Sequence, residues 1–186
     1  MNHPDARSRP PMEPSDEASE SQLDLARDQG AAVERALKHM TEEVATDGGE
    51  TRAGDYLVGY AVEEAEGMYR LRDGELVWEE PGDENLHVEV SVRDGSDGRI
   101  VPGLDVTATL VGPDGEEVGT HAQPFVWHPW IHHYGRNWVV PRDGTYTIRV
   151  RIEAPDFPRH DKTNGKRFAE AVEVEFDDVT VETGQG

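Results

Sequence analysis

The stretch LHVEVSV (86–92) alternates without a break, and no helix can use that pattern. Leu86, Val88, Val90 and Val92 point one way along an extended chain, and His87, Glu89 and Ser91 point the other. LDVTATL (104–110) repeats the pattern, with Leu104, Val106, Ala108 and Leu110 on the inner side. TYTIRVRIE (145–153) buries Tyr146, Ile148, Val150 and Ile152 and turns Arg149 and Arg151 outward, and AVEVEF (171–176) follows suit. Weaker strands are expected at 55–62, 68–72, 75–79, 117–126 and 136–140. Asp-Gly pairs at 73–74, 94–95, 97–98, 114–115 and 143–144 separate these runs. Both residues tolerate positive φ, which tight turns between strands require. Short alternating strands, such turns and no interleaved helices specify an all-β, antiparallel β-sandwich over 51–186.

Ahead of it the texture differs. Residues 1–20 are rich in Pro, Ser and acids, have little to bury, and read as a disordered acidic tail. Residues 21–50 read as an amphipathic helix followed by a linker. Val33, Ala36, Leu37, Met40 and Val44 recur at helical spacing over 31–45, and TDGGETRAG then breaks the helix.

Charge narrows the function classes. The chain has 39 acids against 18 bases, a formal charge of -21, and its only lysines are Lys38, Lys162 and Lys166. Nucleic acids and anionic membrane surfaces both need a basic face, so neither is an expected partner. Acid-rich, lysine-poor chains suit concentrated salt, where carboxylates are screened and keep the surface hydrated. There is no cysteine. Disulfides, thiolate nucleophiles and Cys-type metal sites are thereby excluded, and any metal ligands must be His, Asp, Glu or Met. No apolar run reaches the roughly 18–20 residues of a membrane span, and no signal-peptide core is visible, so the sequence as it stands reads as cytoplasmic.

Three stretches carry candidate chemistry. His87 and Glu89 share the outer face of one strand, where an imidazole nitrogen and a carboxylate oxygen can converge on a hard-to-borderline cation. FVWHPWIHHYGRNW (125–138) gathers three Trp and three His into fourteen residues. Its HPWIHHYG part reads as a loop entering a strand, and Gly135 permits close backbone approach. PDFPRHDKTNGKRF (155–168) reads as a loop that sets His160 beside Asp161. Each stretch also has a plainer account: a polar outer face, Trp residues capping the sandwich, a solvated loop. Exposed Trp127, Trp130 and Trp138 would instead make a carbohydrate- or protein-binding module. A metal-dependent enzyme using the same cluster is a third option.

In order and spacing, HVE, PFV…HHYG, PRDGTYTIRVRI and PRHDKTNG…F…VEVEF resemble the periplasmic Fe²⁺ transport protein family over residues 84–176. The resemblance implies an immunoglobulin-like sandwich that binds copper or iron without catalysis, here with an N-terminal helical extension. Zinc is also compatible with the donors. It further implies a homodimer, an extracytoplasmic compartment and a membrane iron permease as delivery partner. Matched residue by residue, His87 and Glu89 fall on the H-x-E ligands, His133 on the H-Y-G histidine and His160 on the loop histidine. The family's methionine after the proline is absent, since Pro124 is followed by Phe125 and Val126. His128 is the nearby substitute, and an imidazole-rich site suits Cu²⁺, Zn²⁺ or Fe. Binding is expected to fail as these imidazoles protonate near pH 6.

Overall fold

The computed structural model describes residues 11–186. The first ten residues of the expected acidic tail lie outside that range. Residues 11–19 run to the 155–168 loop: the Glu13 amide donates to Asn164 Oδ1 and the Ser15 hydroxyl to Asp161 Oδ2, both at 2.9 Å.

Helix α1 spans Glu20–His39, so it begins before the helically spaced run at 31–45 and ends before that run does. Ser19 caps it with a capping box to Gln22, which satisfies two of the first-turn amides. A π-helical turn, Met40–Val44, follows. The wider turn breaks the 3.6-residue period, so Met40 is buried but Val44 swings into solvent.

Eleven strands follow in three antiparallel sheets. The five-stranded sheet has the order β1 (Asp47–Ala53), β2 (Tyr56–Glu63), β5 (Leu86–Asp94), β9 (His133–Trp138), β8 (Phe125–Val126). The four-stranded sheet has the order β11 (Val172–Val181), β10 (Gly144–Ile152), β6 (Val106–Val111), β7 (Glu117–Ala122). A separate hairpin, β3 (Met68–Arg72) and β4 (Glu75–Glu79), closes through Asp73 and Gly74, both at positive φ. The fold is an immunoglobulin-like β-sandwich, and the alternating residues named above form its core: Val58, Val88 and Val90 face Ala108, Leu110, Ile148 and Val150.

The stretch expected as a linker is edge strand β1, paired with β2 from Asp47↔Val62 to Ala53↔Tyr56. Its glycines hid it from propensity reasoning. They are there for space: a Cβ on Gly48 would lie 2.6 Å from Thr41 Cγ2, and one on Gly49 would lie 2.9 Å from the Tyr60 ring. His133, expected in a loop, opens strand β9.

Both faces of β5 are buried. The inner face meets the second sheet. The outer face lies under the helical segment, where Met40, Ala36 and Leu37 pack on Ala61 of β2 and on Ile131. At the other end Gly30 crosses the turn after β5, so close that a Cβ would sit 1.6 Å from the Asp97 carbonyl oxygen. The outer row of β5 is therefore not the solvated face the sequence implies. No helix among the described residues is long and apolar enough to cross a membrane.

Candidate metal centre

Register brings the ligands together. Glu89 of β5 pairs with Gly135 of β9, so His87 and Glu89 flank a residue that has no side chain. His133 lies two residues before Gly135, on the same outer face. His87 Nε2 and His133 Nε2 are 3.4 Å apart. Glu89 Oε1 lies 3.4 Å from His133 Nε2 and 3.9 Å from His87 Nε2. A point equidistant from the three atoms in their plane is about 2.1 Å from each, the bond length of a first-row metal to imidazole or carboxylate. Only 0, 4 and 5% of His87, His133 and Glu89 are exposed.

The tautomers suit a cation. Asn137 Nδ2 donates to the Glu66 carbonyl at 2.7 Å, which leaves Oδ1 to accept from His87 Nδ1–H at 2.8 Å. His133 Nδ1–H donates to the Ile131 carbonyl at 3.2 Å. Each ring thus turns an unprotonated Nε2 inward, its other nitrogen fixed by an acceptor as in metal-bound histidines. Two lone pairs facing across 3.4 Å need a proton or a cation between them and the carboxylate.

Electrostatics add to this. Burial lowers the His87 pKa to about 4, against the opposing effect of its hydrogen bond to Asn137. Burial, then the neighbouring His87, lowers His133 to about 4. Burial raises Glu89 to about 8, with further upward pressure from the carboxylates of Glu63 and Glu66. At neutral pH the cluster is therefore three uncharged groups sharing one dissociable proton.

The other candidates are placed elsewhere. The His128 ring centroid is 6.0 Å from that of His133. Its Nδ1 accepts from the amides of Ile131 and Trp130, at 3.4 and 3.5 Å, which leaves Nε2 as the protonated nitrogen. His160 is exposed on its loop, with Nδ1 3.1 Å from Glu17 Oε2. The three tryptophans also separate. Trp127 and Trp130 are exposed, but Trp138 is core, its ring tilted against that of His121 with centroids 4.7 Å apart.

Among the described residues, His87, Glu89 and His133 form the one group of His, Asp and Glu side chains placed to hold a metal ion. The sandwich around it is that of FetP and P19. FetP of uropathogenic Escherichia coli strain F11 aligns with a TM-score of 0.59 at 18% identity, over 72% of this chain and 93% of FetP. A copper-bound glutamate-to-glutamine variant of FetP gives 0.58 at 17%, over 72% and 90%. Copper-reconstituted P19 of Campylobacter jejuni gives 0.60 at 14%, over 74% and 96%. At such identities the likeness is one of fold. No family model matches the chain, and neither does any curated protein.

Asn137 and Gly135 escaped sequence reasoning as site residues, though period two from His133 leads to both. A Cβ on Gly135 would lie 2.9 Å from His133 Cδ2 and 3.1 Å from His87 Nε2. Gly135→Ala should therefore splay both rings and weaken metal binding about 100-fold, the scale seen when ligand-orienting groups are lost. A competition titration with a chelator measures this, and unchanged affinity would place the ion elsewhere.

Proposed function

We propose that this protein binds one divalent transition ion, copper or iron, through His87, Glu89 and His133, without catalysis, in metal transport or homeostasis. The observation that carries this reading is the triangle of three buried, uncharged donors whose centre is one metal bond length from each. Imidazole with carboxylate suits Cu²⁺, Zn²⁺ and Fe²⁺ rather than Mg²⁺ or Ca²⁺. The copper-bound state of FetP and P19, which share the fold, favours copper as the first ion to test. His128 can join only by giving up its loop bonds, and His160 only if its loop refolds. Delivery to an iron permease and homodimerisation rest on the family resemblance alone.

The deciding experiment is native mass spectrometry of untagged protein, metal-free and after exposure to Cu²⁺, Fe²⁺ and Zn²⁺. One tightly held ion per chain, lost in His87→Ala/His133→Ala, is the expected result. No stoichiometric ion under any loading would overturn the reading. The exposed Trp127 and Trp130, with Phe125, favour one second reading, a patch for a carbohydrate or protein surface. It requires a Trp127→Ala variant to lose such binding while His87→Ala keeps it.

A further inference from the structure

Two anchors fix the start of the π-helical turn. On one side Thr41 packs so near Gly48 of β1 that a Cβ on the glycine would lie 2.6 Å from Thr41 Cγ2. On the other, the His39 ring meets the Trp130 ring edge-on, with centroids 5.6 Å apart. Met40, between them, is thus tied to strand β1 and to the 128–133 loop at once. It is 2% exposed and packs on Ala61 and Ile131. Those two contacts bracket the metal triangle. Ala61 pairs with Glu89 across β2 and β5, and Ile131 carries the carbonyl that accepts from His133 Nδ1.

The triangle has an open side, and Met40 is on it. Glu89, His133 and Met40 line one cavity of about 250 Å³ between the helical segment and the sheet. The β9 main chain lies on the other side, where a Cβ on Gly135 would be 3.1 Å from His87 Nε2. Three donors leave an ion short of the fourth that zinc and copper sites take, which in copper sites is commonly a thioether. The chain has no cysteine, and Met40 is the one buried thioether among the described residues. Methionine also serves as a gap filler in cores. Here, however, it belongs to a cluster of three buried residues, apart from the main core, that borders the donors. A thioether also brings no charge to a place where Glu63 and Glu66 already press on Glu89.

We propose that Met40 Sδ is a further ligand of the ion held by His87 and His133, and that through it the site takes Cu⁺ as well as Cu²⁺. Two imidazoles and a thioether make a soft set for Cu⁺, while Glu89 supplies the harder oxygen for Cu²⁺. The inference rests on the metal reading above and adds to it a ligand and an oxidation state.

The test uses the full chain under nitrogen, loaded with Cu⁺ from its acetonitrile complex and, separately, with Cu²⁺. X-ray absorption of the Cu⁺ protein should show one sulfur neighbour at about 2.3 Å. Met40→Leu keeps the volume of the buried cluster and removes the sulfur. It should lose that neighbour and bind Cu⁺ at least about tenfold more weakly in competition with bicinchoninate, while Cu²⁺ affinity changes less than about threefold. Met12→Leu/Met68→Leu, which alters two part-buried methionines, should leave the sulfur neighbour and the Cu⁺ affinity as they are. Copper bound only as Cu²⁺, Cu⁺ bound with no sulfur neighbour, or a sulfur neighbour that survives Met40→Leu overturns this inference and leaves the metal reading standing. Equal loss of Cu⁺ and Cu²⁺ in Met40→Leu also overturns it and reduces Met40 to packing. A native chain that holds neither ion overturns both readings.

Discussion

Copper added to the metal-free protein at pH 7 should release about 0.9 proton per ion, and that proton comes from Glu89. Burial and the charges of Glu63 and Glu66 hold its pKa near 8, so below pH 8 the ion must displace a proton to reach the carboxylate. Apparent affinity should rise about tenfold per pH unit up to pH 8 and level off above it. The imidazoles enter only near pH 4, because burial holds both there. This replaces the sequence-based expectation of failure near pH 6, which assumed solvated histidines. Glu89→Gln should abolish both the proton release and the slope between pH 5 and 8. Calorimetry in buffers of different ionisation enthalpy counts the protons. A slope that begins only below pH 6 would show that histidine, not Glu89, holds the competing proton.

The same groups shape the stability of the metal-free protein. Glu89 has a folded pKa above its ordinary 4.5, so its stabilising contribution is complete below pH 4.5 and is lost as pH rises through 8. His87 and His133 have folded pKa values below 6.5, so their contribution is complete above 6.5 and is lost as pH falls toward 4. From these three groups stability should peak near pH 6.5 and fall by about 1 kcal/mol by pH 8. Glu89→Gln should flatten that alkaline limb. Bound metal should flatten it too, since the ion compensates the ionised carboxylate.

What the sequence revealed divides along the physics of each face. Inner faces were legible because alternation is local: Val88, Ile148 and Val150 declare their burial through their neighbours. His87 and Glu89 were legible as candidate donors because period two puts imidazole and carboxylate on one strand face, and His133 because its H-Y-G context matches the family pattern, although a plain polar face fitted the same residues. The burial of that donor row was not legible. It depends on a helix docking from 50 residues away, and LHVEVSV carries no mark of it. Strand β1 was hidden for a related reason: its glycines lower strand propensity to make room for Thr41 and Tyr60. His160 looked like a partner because Asp161 is beside it and because its loop matches the family's loop histidine, yet Asp161 accepts from Ser15, Thr163 and Asn164 instead. For Trp138 the sequence left core and exposed patch both open; period two from Tyr134 through Arg136 leads to the core position it takes.

Gly30→Val should undock helix α1 and so convert the buried site into the solvated one that the sequence suggests. The glycine sits where the helix crosses the turn after β5, and a Cβ there would lie 1.6 Å from the Asp97 carbonyl oxygen and 2.6 Å from its carbon. Both are main-chain atoms held in a turn by the Gly98 amide's bond to the Asp94 carbonyl, so the helix must yield. Overpacking of this kind costs about 1–3 kcal/mol, a loss of roughly 3–10 °C in melting temperature for a chain this long. Hydrogen exchange should accelerate across residues 20–39 while β6 and β10, on the far sheet, stay protected. Water would then reach the outer row of β5. Glu89 would return toward its ordinary 4.5 and the imidazoles toward 6.5, because burial is the largest cause of all three shifts. The pH dependence of copper binding would move with them: flat from pH 8 down to about 7, and falling steeply below 6.5. A Gly30→Val protein that unfolds at lower temperature but keeps the Glu89-controlled slope up to pH 8 would show that the loop at 128–133, and not the helix, keeps water from the site.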